Sequence, residues 1–330
     1  MFAPYAEEVI AMQTMTRRRK LPTAASSVID KVNKVDAVLC SDIHYRSDIP
    51  RCRVDDFQSA MNNKLEFIFN LCRQYNVPLF CGGDVGDKPI WPDWLLTKFI
   101  KLAKDVKIYS ALGQHDLPGH SLEEFERSGC GVLGAGNVIE FYTDTYPMGV
   151  GIFMAHWDKE IPHINNEMHS SPVLLTHRLV IQGKKEWPDQ QAYIAENLLK
   201  EWPQYKLILS GDNHIPFVVK YQGRLLVNPG SIMRSSVAQI DHKPRVYLWD
   251  SEANEVSPVY LPIEQNVIDR THIDVVDEKQ ARRQDMVDRI KKGYEVSIDF
   301  EKNIENYFDE NDVSENIRKR VLLACEERKK

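Results

Sequence analysis

Apolar and polar positions along the chain fall into two textures. Through residues 1–34 no period dominates: one short helix-like stretch, the basic run TRRRK (16–20) and the Pro/Ala/Ser stretch LPTAASS read as an extension. From Asp36 onward, short apolar runs stop abruptly in polar residues, as in DAVLCSD, PLFCGGD, VKIYSALGQHD, GVGIFMAHW, PVLLTH and KLILSGDNH. Such runs predict strands buried on both faces. The first two gaps hold helical patterns. DDFQSAMNNKLEFIFNLCRQYNV spaces Phe57, Met61, Leu65, Ile68, Leu71 and Cys72 along one helix face, and DWLLTKFIKLAK follows. Strands alternating with helices predict an α/β fold whose functional loops lie at the C-terminal strand ends. FVVKYQGRLLVNPGS predicts a hairpin turning at Gln222–Gly223.

After Pro262 the composition becomes charged and helix-rich. The order there reads strand (His272–Val276), helix (Glu278–Gly293), strand (Glu295–Phe300) and two helices (Ile304–Phe308, Val313–Glu327). The expected organisation is therefore an extension at 1–34, a principal domain at 35–262 and a small α/β appendage at 263–330 that caps the site or docks a partner.

Composition narrows the class. A chain of 330 residues, 43% hydrophobic and 27% charged, can bury a full core. No apolar run approaches the ~20 residues that span a bilayer, and TRRRK lacks the apolar stretch of an export signal. The six cysteines form no C-x-x-C pair. Those in apolar runs read as buried free thiols, which predicts a reducing, cytoplasmic setting. A formal charge of -6 argues against a broadly basic surface, although a local patch or a bound metal can still attract phosphates.

Polar groups collect where the strands stop: Asp42 and His44 in SDIH, Asp84 and Asp87 in GGDVGD, Gln114, His115 and Asp116 in GQHD, His177 in LLTH, and Asp212 and His214 in SGDNH. Any one of these is commonly a turn or a helix cap. Five in this order are hard to explain as turns, because converging carboxylates and imidazoles repel or lie desolvated unless a cation holds them. A mixed nitrogen and oxygen donor set suits a divalent metal.

The ordered set resembles the signature of calcineurin-like metallophosphoesterases, D-x-H, G-D-x-x-D, G-N-H-D, a lone His and G-H-x-H, over roughly residues 36–250. GGDVGDKPIW, the Pro-Gly-Ser turn in VNPGSIMRSS (227–236) and a C-terminal add-on are most similar to the SbcD-type nucleases of bacteria and phages. The resemblance implies a four-layer αββα sandwich with two metals at the strand ends. Asp42, His44 and His214 would hold one, Gln114, His177 and Asp212 the other, with Asp84 bridging. The metals would clamp the phosphate and an attacking hydroxide for in-line hydrolysis. His115 would be the catalytic imidazole and Asp87 the carboxylate that orients it.

Two positions depart from the family. Gln114 stands where Asn is usual, and Asp212 where the first His of G-H-x-H belongs. Either the site is degenerate, or a longer ligand opposite a shorter one is a paired adjustment on one metal. Every other position is filled, so a working variant is the expectation. The extra carboxylate favours Mn²⁺, with Mg²⁺ next, over Zn²⁺.

His156 in MAHWDKE and Arg234 after the Pro-Gly-Ser turn could reach substrate, though a structural histidine and a surface arginine with no such role fit as well. His163 and His169 lie in a polar loop and His120 just beyond GQHD; Trp91, Trp94, Trp157 and Trp187 could stack bases, although aromatics in helices and beside prolines more often belong to the core. The resemblance further implies DNA as substrate, homodimerisation and a coiled-coil ABC-type ATPase partner, whose phosphate-binding motif is absent from this sequence. Val313, Ile317, Val321 and Leu322 could lie on such a partner or pack at home. Two other expectations stay open: a phosphodiesterase or phosphatase for nucleotides or other small phosphoesters, and a non-catalytic scaffold for DNA or the ATPase.

Overall fold

The computed structural model describes residues 34–141, 151–164, 171–184, 191–269, 304–305, 307–309, 311 and 313–327. The expected basic extension, the elements between His272 and Phe300, His169 and Trp187 lie outside the described residues. The chain divides into two compact units, Met1–Asp269 and Arg270–Lys330.

The first unit is built on two five-stranded sheets. In one, β1 (Ala37–Cys40), β2 (Leu79–Cys81) and β3 (Ile108–Ser110) run parallel. In the other, β4 (Ile152–Ala155), β5 (Val173–Thr176) and β8 (Leu207–Ser210) do the same, β6 (Val180–Ile181) and β7 (Tyr193–Ile194) forming a separate pair between β5 and β8 in the chain. The predicted hairpin is β9 (Phe217–Tyr221) and β10 (Arg224–Asn228), with Gln222 and Gly223 at φ 47° and 74°, the positive values that a tight two-residue turn requires. β10 joins the second sheet parallel to β8. A hairpin not foreseen in the sequence, β11 (Arg245–Asp250) and β12 (Glu255–Tyr260), closes the first sheet antiparallel to β1.

Strand alternation sorts the side chains into layers. Ala37 and Leu39 of β1, Phe80 of β2, Val173 and Leu175 of β5, and Leu207 and Leu209 of β8 meet between the sheets. The other faces turn outward. Val38, Cys40, Leu79 and Cys81 pack with Phe57, Met61, Leu65 and Ile68 of α1 (Phe57–Tyr75), Leu95 and Phe99 of α2 (Asp93–Ala103), and Cys130 and Leu133 of α3 (Gly129–Ala135). Leu174, Ile208 and Leu226 pack on Ala195, Leu198 and Leu199 of α4 (Ala195–Glu201). The result is the expected αββα sandwich. α1 is bounded by an Asp56 side chain accepting from the Ser59 amide and by left-handed Asn76, and its stripe of fully buried side chains is worth roughly 1.5–3 kcal/mol each.

Strand register sets the site. Cys40 lies opposite Cys81 and Cys81 opposite Ser110, so β1, β2 and β3 end level. Thr176 and Ser210 end β5 and β8 level in the facing sheet, and a Ser41–Ser231 bridge ties the two edges together. Five cysteines, Cys40, Cys52, Cys72, Cys81 and Cys130, are buried free thiols. In the second unit, α5 runs from Glu315 to Glu327, two residues inside the predicted start; Ile317 is exposed, and Val313, Val321 and Leu322 are half-buried. Among the described residues no helix is long and apolar enough to cross a membrane.

Candidate metal centre

The residues that follow the strand ends hold unusual backbone. Asp42, His44, Asp84 and Asp212 have φ of 49°, 47°, 50° and 71°. Positive φ is uncommon for residues with a side chain, and Asp and His are among those that tolerate it. The loops sustain it by pairing: the Asp42 amide donates to the Gly83 carbonyl (3.0 Å), the His44 amide to the Asp84 carbonyl (2.9 Å), and the Asp212 amide to Asp42 Oδ1 (3.0 Å). Strained backbone held by its surroundings clusters at functional sites.

These turns bring the predicted side chains together. His44 Nε2 lies 3.2 Å from His214 Nε2 and 3.7 Å from Asp84 Oδ2, and His214 Nε2 lies 3.7 Å from Asp42 Oδ1. His177 Nε2 lies 3.2 Å from Asp84 Oδ2 and 4.0 Å from Asp212 Oδ1. Asp42, His44 and His214 could hold one ion, with Asp42, Asp84 and His177 grouped beside them. Ligands of a metal bound at about 2.0–2.2 Å sit roughly 3 Å apart, so the closest pairs already have coordination spacing.

The donor atoms are prepared for a cation. His177 is fully buried; its Nδ1–H donates to the Gly82 carbonyl (2.9 Å), which turns Nε2 to the carboxylates, 3.2 Å from Asp84 Oδ2. An outer hydrogen bond of this kind fixes the tautomer of a metal-binding histidine. Gly83, at φ 110°, makes room for that ring, because a Cβ there would meet His177 Nδ1 at 2.4 Å. Burial disfavours charge on His177, yet Asp84, Asp42 and Asp212 outweigh it and push its pKa up to about 10. Burial likewise resists ionisation of Asp84, but His177, His44 and His115 bring it down to about 2. Burial pushes Asp42 up, with His177 and His214 pulling the other way. His44 is lowered to about 3, chiefly by burial and against the pull of Asp84, so its imidazole is neutral and its lone pair available. The cluster demands positive charge, and a divalent ion would supply it.

The two departures from the family motif touch each other. Gln114 Nε2 donates to Asp212 Oδ1 at 3.0 Å, while Gln114 Oε1 is buried without a hydrogen-bond partner. The bond uses the amide's donor end and leaves its acceptor end unbonded. An oxygen ligand of this kind fits a metal; a Gln filling space would have no need of the pairing.

Around this core, His115 is exposed and its Nδ1–H donates to the Asp87 main-chain carbonyl (3.0 Å). The expected orienting contact from the Asp87 carboxylate is thus replaced by its carbonyl. The carboxylate instead accepts from Arg46 Nη1 (2.9 Å) and lies 3.7 Å from His44 Nδ1. The pKa of Asp87 is raised, burial outweighing Arg46. His156 is buried and its Nδ1 accepts from the Leu112 amide (3.0 Å), so it braces the loop that carries Gln114. Arg234, expected to reach substrate, instead engages the main chain. It is buried and donates to the carbonyls of Ile240 (3.1 Å) and Glu264 (2.6 Å).

Trp91 belongs to the core and Trp94 is half-exposed on α2; Trp157 packs edge-on against exposed His120, and His163 lies tilted on Trp202. Sequence reading gave Asp116 no role. It is fully buried and accepts from the amides of Val85 (3.3 Å), Gly86 (2.8 Å) and Gly113 (2.9 Å), locking two ligand loops together. Its place directly after His115 is the only signal the sequence offers. Arg46 was also missed, two residues past His44.

Comparison with protein families matches residues 36–216 to the calcineurin-like phosphoesterase family. Comparison with curated proteins yields no match. Among solved structures, an archaeal phosphodiesterase is 14% identical, with 68% of this chain and 99% of that one covered at a TM-score of 0.38. The TT1561 protein of Thermus thermophilus is 12% identical, with 69% and 100% covered at 0.43. GAP50, the anchor in the inner membrane complex of Plasmodium, is 12% identical, with 71% and 90% covered at 0.40.

Proposed function

This chain belongs to the calcineurin-like phosphoesterase family and is a metal-dependent phosphoesterase, and on that premise we propose that it is a DNA nuclease of the SbcD type. The observation that carries the reading is the ligand cluster at the level strand ends with an open outer side: His177, Asp84 and Asp42 are buried, whereas His214 and His115 are exposed. An exposed rim suits a phosphodiester that continues in both directions along a polymer.

In this reading Asp42, His44 and His214 hold one divalent ion, Gln114, His177 and Asp212 a second, and Asp84 faces both. When bound, the ions supply charge for the phosphate oxygens and a nucleophile at neutral pH. The carboxylates and the Gln114 carbonyl make the donor set oxygen-rich, which favours Mn²⁺. His115, tethered through Nδ1 to the Asp87 carbonyl, keeps Nε2 for the leaving oxygen, to which it gives a proton or a hydrogen bond. Arg46 neutralises Asp87 and keeps that carboxylate from competing with the phosphate. DNA is the substrate, two copies of the chain pair, and a coiled-coil ABC-type ATPase governs access; the motifs GGDVGDKPIW and VNPGSIMRSS support that assignment.

The test is cleavage of single- and double-stranded DNA with Mn²⁺, Mg²⁺ or EDTA, beside His115→Ala and with bis-p-nitrophenyl phosphate as a small diester. The expected result is Mn²⁺-dependent DNA cleavage that EDTA abolishes and His115→Ala lowers by about 10²–10⁴-fold. Turnover of the small diester with intact DNA would replace the nuclease by a small-substrate phosphodiesterase. No turnover of either would leave a scaffold or a nuclease silent without its ATPase, which the number of bound Mn²⁺ ions separates, a scaffold holding fewer than two.

A further inference from the structure

Away from the ligand cluster, three cationic side chains line one cavity of about 90 Å³, Arg53, Lys64 and Arg234, with Asp55 and Glu264 beside them. The three are 8%, 4% and 6% exposed, so each is more than nine-tenths buried. Lys and Arg are almost never buried this deeply without a partner. Arg53 has one: Nε and Nη2 grip Asp55 at 2.8 and 2.6 Å.

The other two have no carboxylate in ion-pair contact among the described residues. Lys64 Nζ donates only to the Ile232 carbonyl, at 3.1 Å, which leaves two of its three donors unused. Arg234 spends Nη1 and Nη2 on main-chain carbonyls, and its buried Nε donates to nothing. Arg53 adds Nη1 to the Arg234 carbonyl (2.9 Å), so all three cations are drawn to the same spot. Glu264 is exposed and Asp55 is already taken, so positive charge is left over inside the cavity.

Burial, with Arg53 and Arg234 adding to it, pushes the Lys64 ammonium down to about 7 against the weaker pull of Asp55. A compact anion with several acceptor oxygens would answer the excess charge, the idle Lys64 donors and the orphaned Arg234 Nε together. The cavity has room for more than a single water-sized group.

We infer that this cavity is a binding site for a phosphate-class oxyanion, either inorganic phosphate or the terminal phosphate of a nucleotide, distinct from the metal centre. The three cations also hold the segment from Ile232 to Arg234, whose Ile232 amide donates to the Asp42 carbonyl (3.4 Å). A bound anion would therefore brace the loop behind a metal ligand.

The test uses the full chain stripped of metal with EDTA, dialysed free of it, and titrated calorimetrically in chloride buffer with inorganic phosphate, sulfate and AMP. Without metals the ligand cluster is acidic and does not retain phosphate. The expected result is saturable binding at one site that weakens at least ~10-fold in Lys64→Met or in Arg234→Lys, the loss of one charge-assisted hydrogen bond. Tighter binding of phosphate and sulfate than of AMP assigns the free anion; the reverse assigns a nucleotide terminus. Absence of saturable binding by the wild-type protein overturns the inference, as does unchanged affinity in the variants. Should Lys64→Met not fold, Arg234→Lys, which keeps the charge but not the Nε geometry, decides alone.

Discussion

Replacing Gly83 with Ala adds one methyl group at the most crowded point behind the metal ligands. The added Cβ would lie 2.4 Å from His177 Nδ1, 2.8 Å from its Cγ and 2.9 Å from its Cβ, at a backbone φ of 110°. A backbone conformation so foreign to L side chains costs about 1–3 kcal/mol. The ring cannot retreat cheaply, because His177 is fully buried between the sheets' ends. Overpacking of this kind costs about 1–3 kcal/mol more. If the ring shifts, its hydrogen bond to the Gly82 carbonyl goes too, at about 1 kcal/mol. The sum is about 3–7 kcal/mol.

Gly223→Ala supplies the control: φ is 74°, but nothing lies within 4 Å of the added Cβ, so only conformational strain of about 1 kcal/mol remains. Urea unfolding of both variants, read by tryptophan fluorescence, gives the comparison. A displacement of about 1 Å at a metal ligand should also lower phosphodiester turnover by about 10²-fold in Gly83→Ala, with turnover near wild type in Gly223→Ala. Equal stability losses in the two variants, or full activity in Gly83→Ala, would refute the idea that this glycine exists to seat His177.

Other expectations concern the substituted ligand pair and the buried lysine. Gln114→Leu and Asp212→Ala should each weaken Mn²⁺ binding by about 10–100-fold. Because Gln114 donates to Asp212, the double variant should lose less than the two single losses combined, by about 0.5–3 kcal/mol in a calorimetric titration cycle. Lys64 has a folded pKa of about 7 against 10.5 for a free lysine. The unfolded chain therefore holds the extra proton between those values, and the stability cost of the charged lysine is full below pH 7 and fades as pH rises toward 10.5. Lys64→Met removes that cost. In phosphate-free buffer it should exceed wild type most below pH 7, by up to about 5 kcal/mol, with the gap closing by pH 10; a pH-independent difference in denaturant unfolding would contradict the shift.

Much of the sandwich was legible because its strands are short apolar runs stopped by polar residues. That pattern located β1, β2, β3, β4, β5 and β8, and the level ends of β1, β2, β5 and β8 explain why residues so distant in sequence as Asp42 and His214 meet. The β11–β12 hairpin was not foreseen because SEAN, the turn between RVYLWD and EVSPVY, lacks the glycine that marks a tight hairpin. Roles that depend on main-chain atoms were not legible. His115 is steadied by the carbonyl of Asp87, and any residue at that position would present the same atom. Arg234 read as a surface arginine because nothing in SIMRSS reveals that its side chain turns inward to carbonyls at Ile240 and Glu264. Asp116 shows the same limit, since a carboxylate that gathers three amides from two loops looks in sequence like a turn residue.

The central claim is that Gln114 and Asp212 complete a second metal position beside the one formed by Asp42, His44 and His214. The most direct measurement is the number of Mn²⁺ ions bound per chain, by calorimetric titration of the stripped full-length protein and elemental analysis after gel filtration. The account predicts two in the wild-type protein, falling to one when Gln114 and Asp212 are replaced together by Leu and Ala. A wild-type protein that holds one ion or none at saturating Mn²⁺ would contradict it.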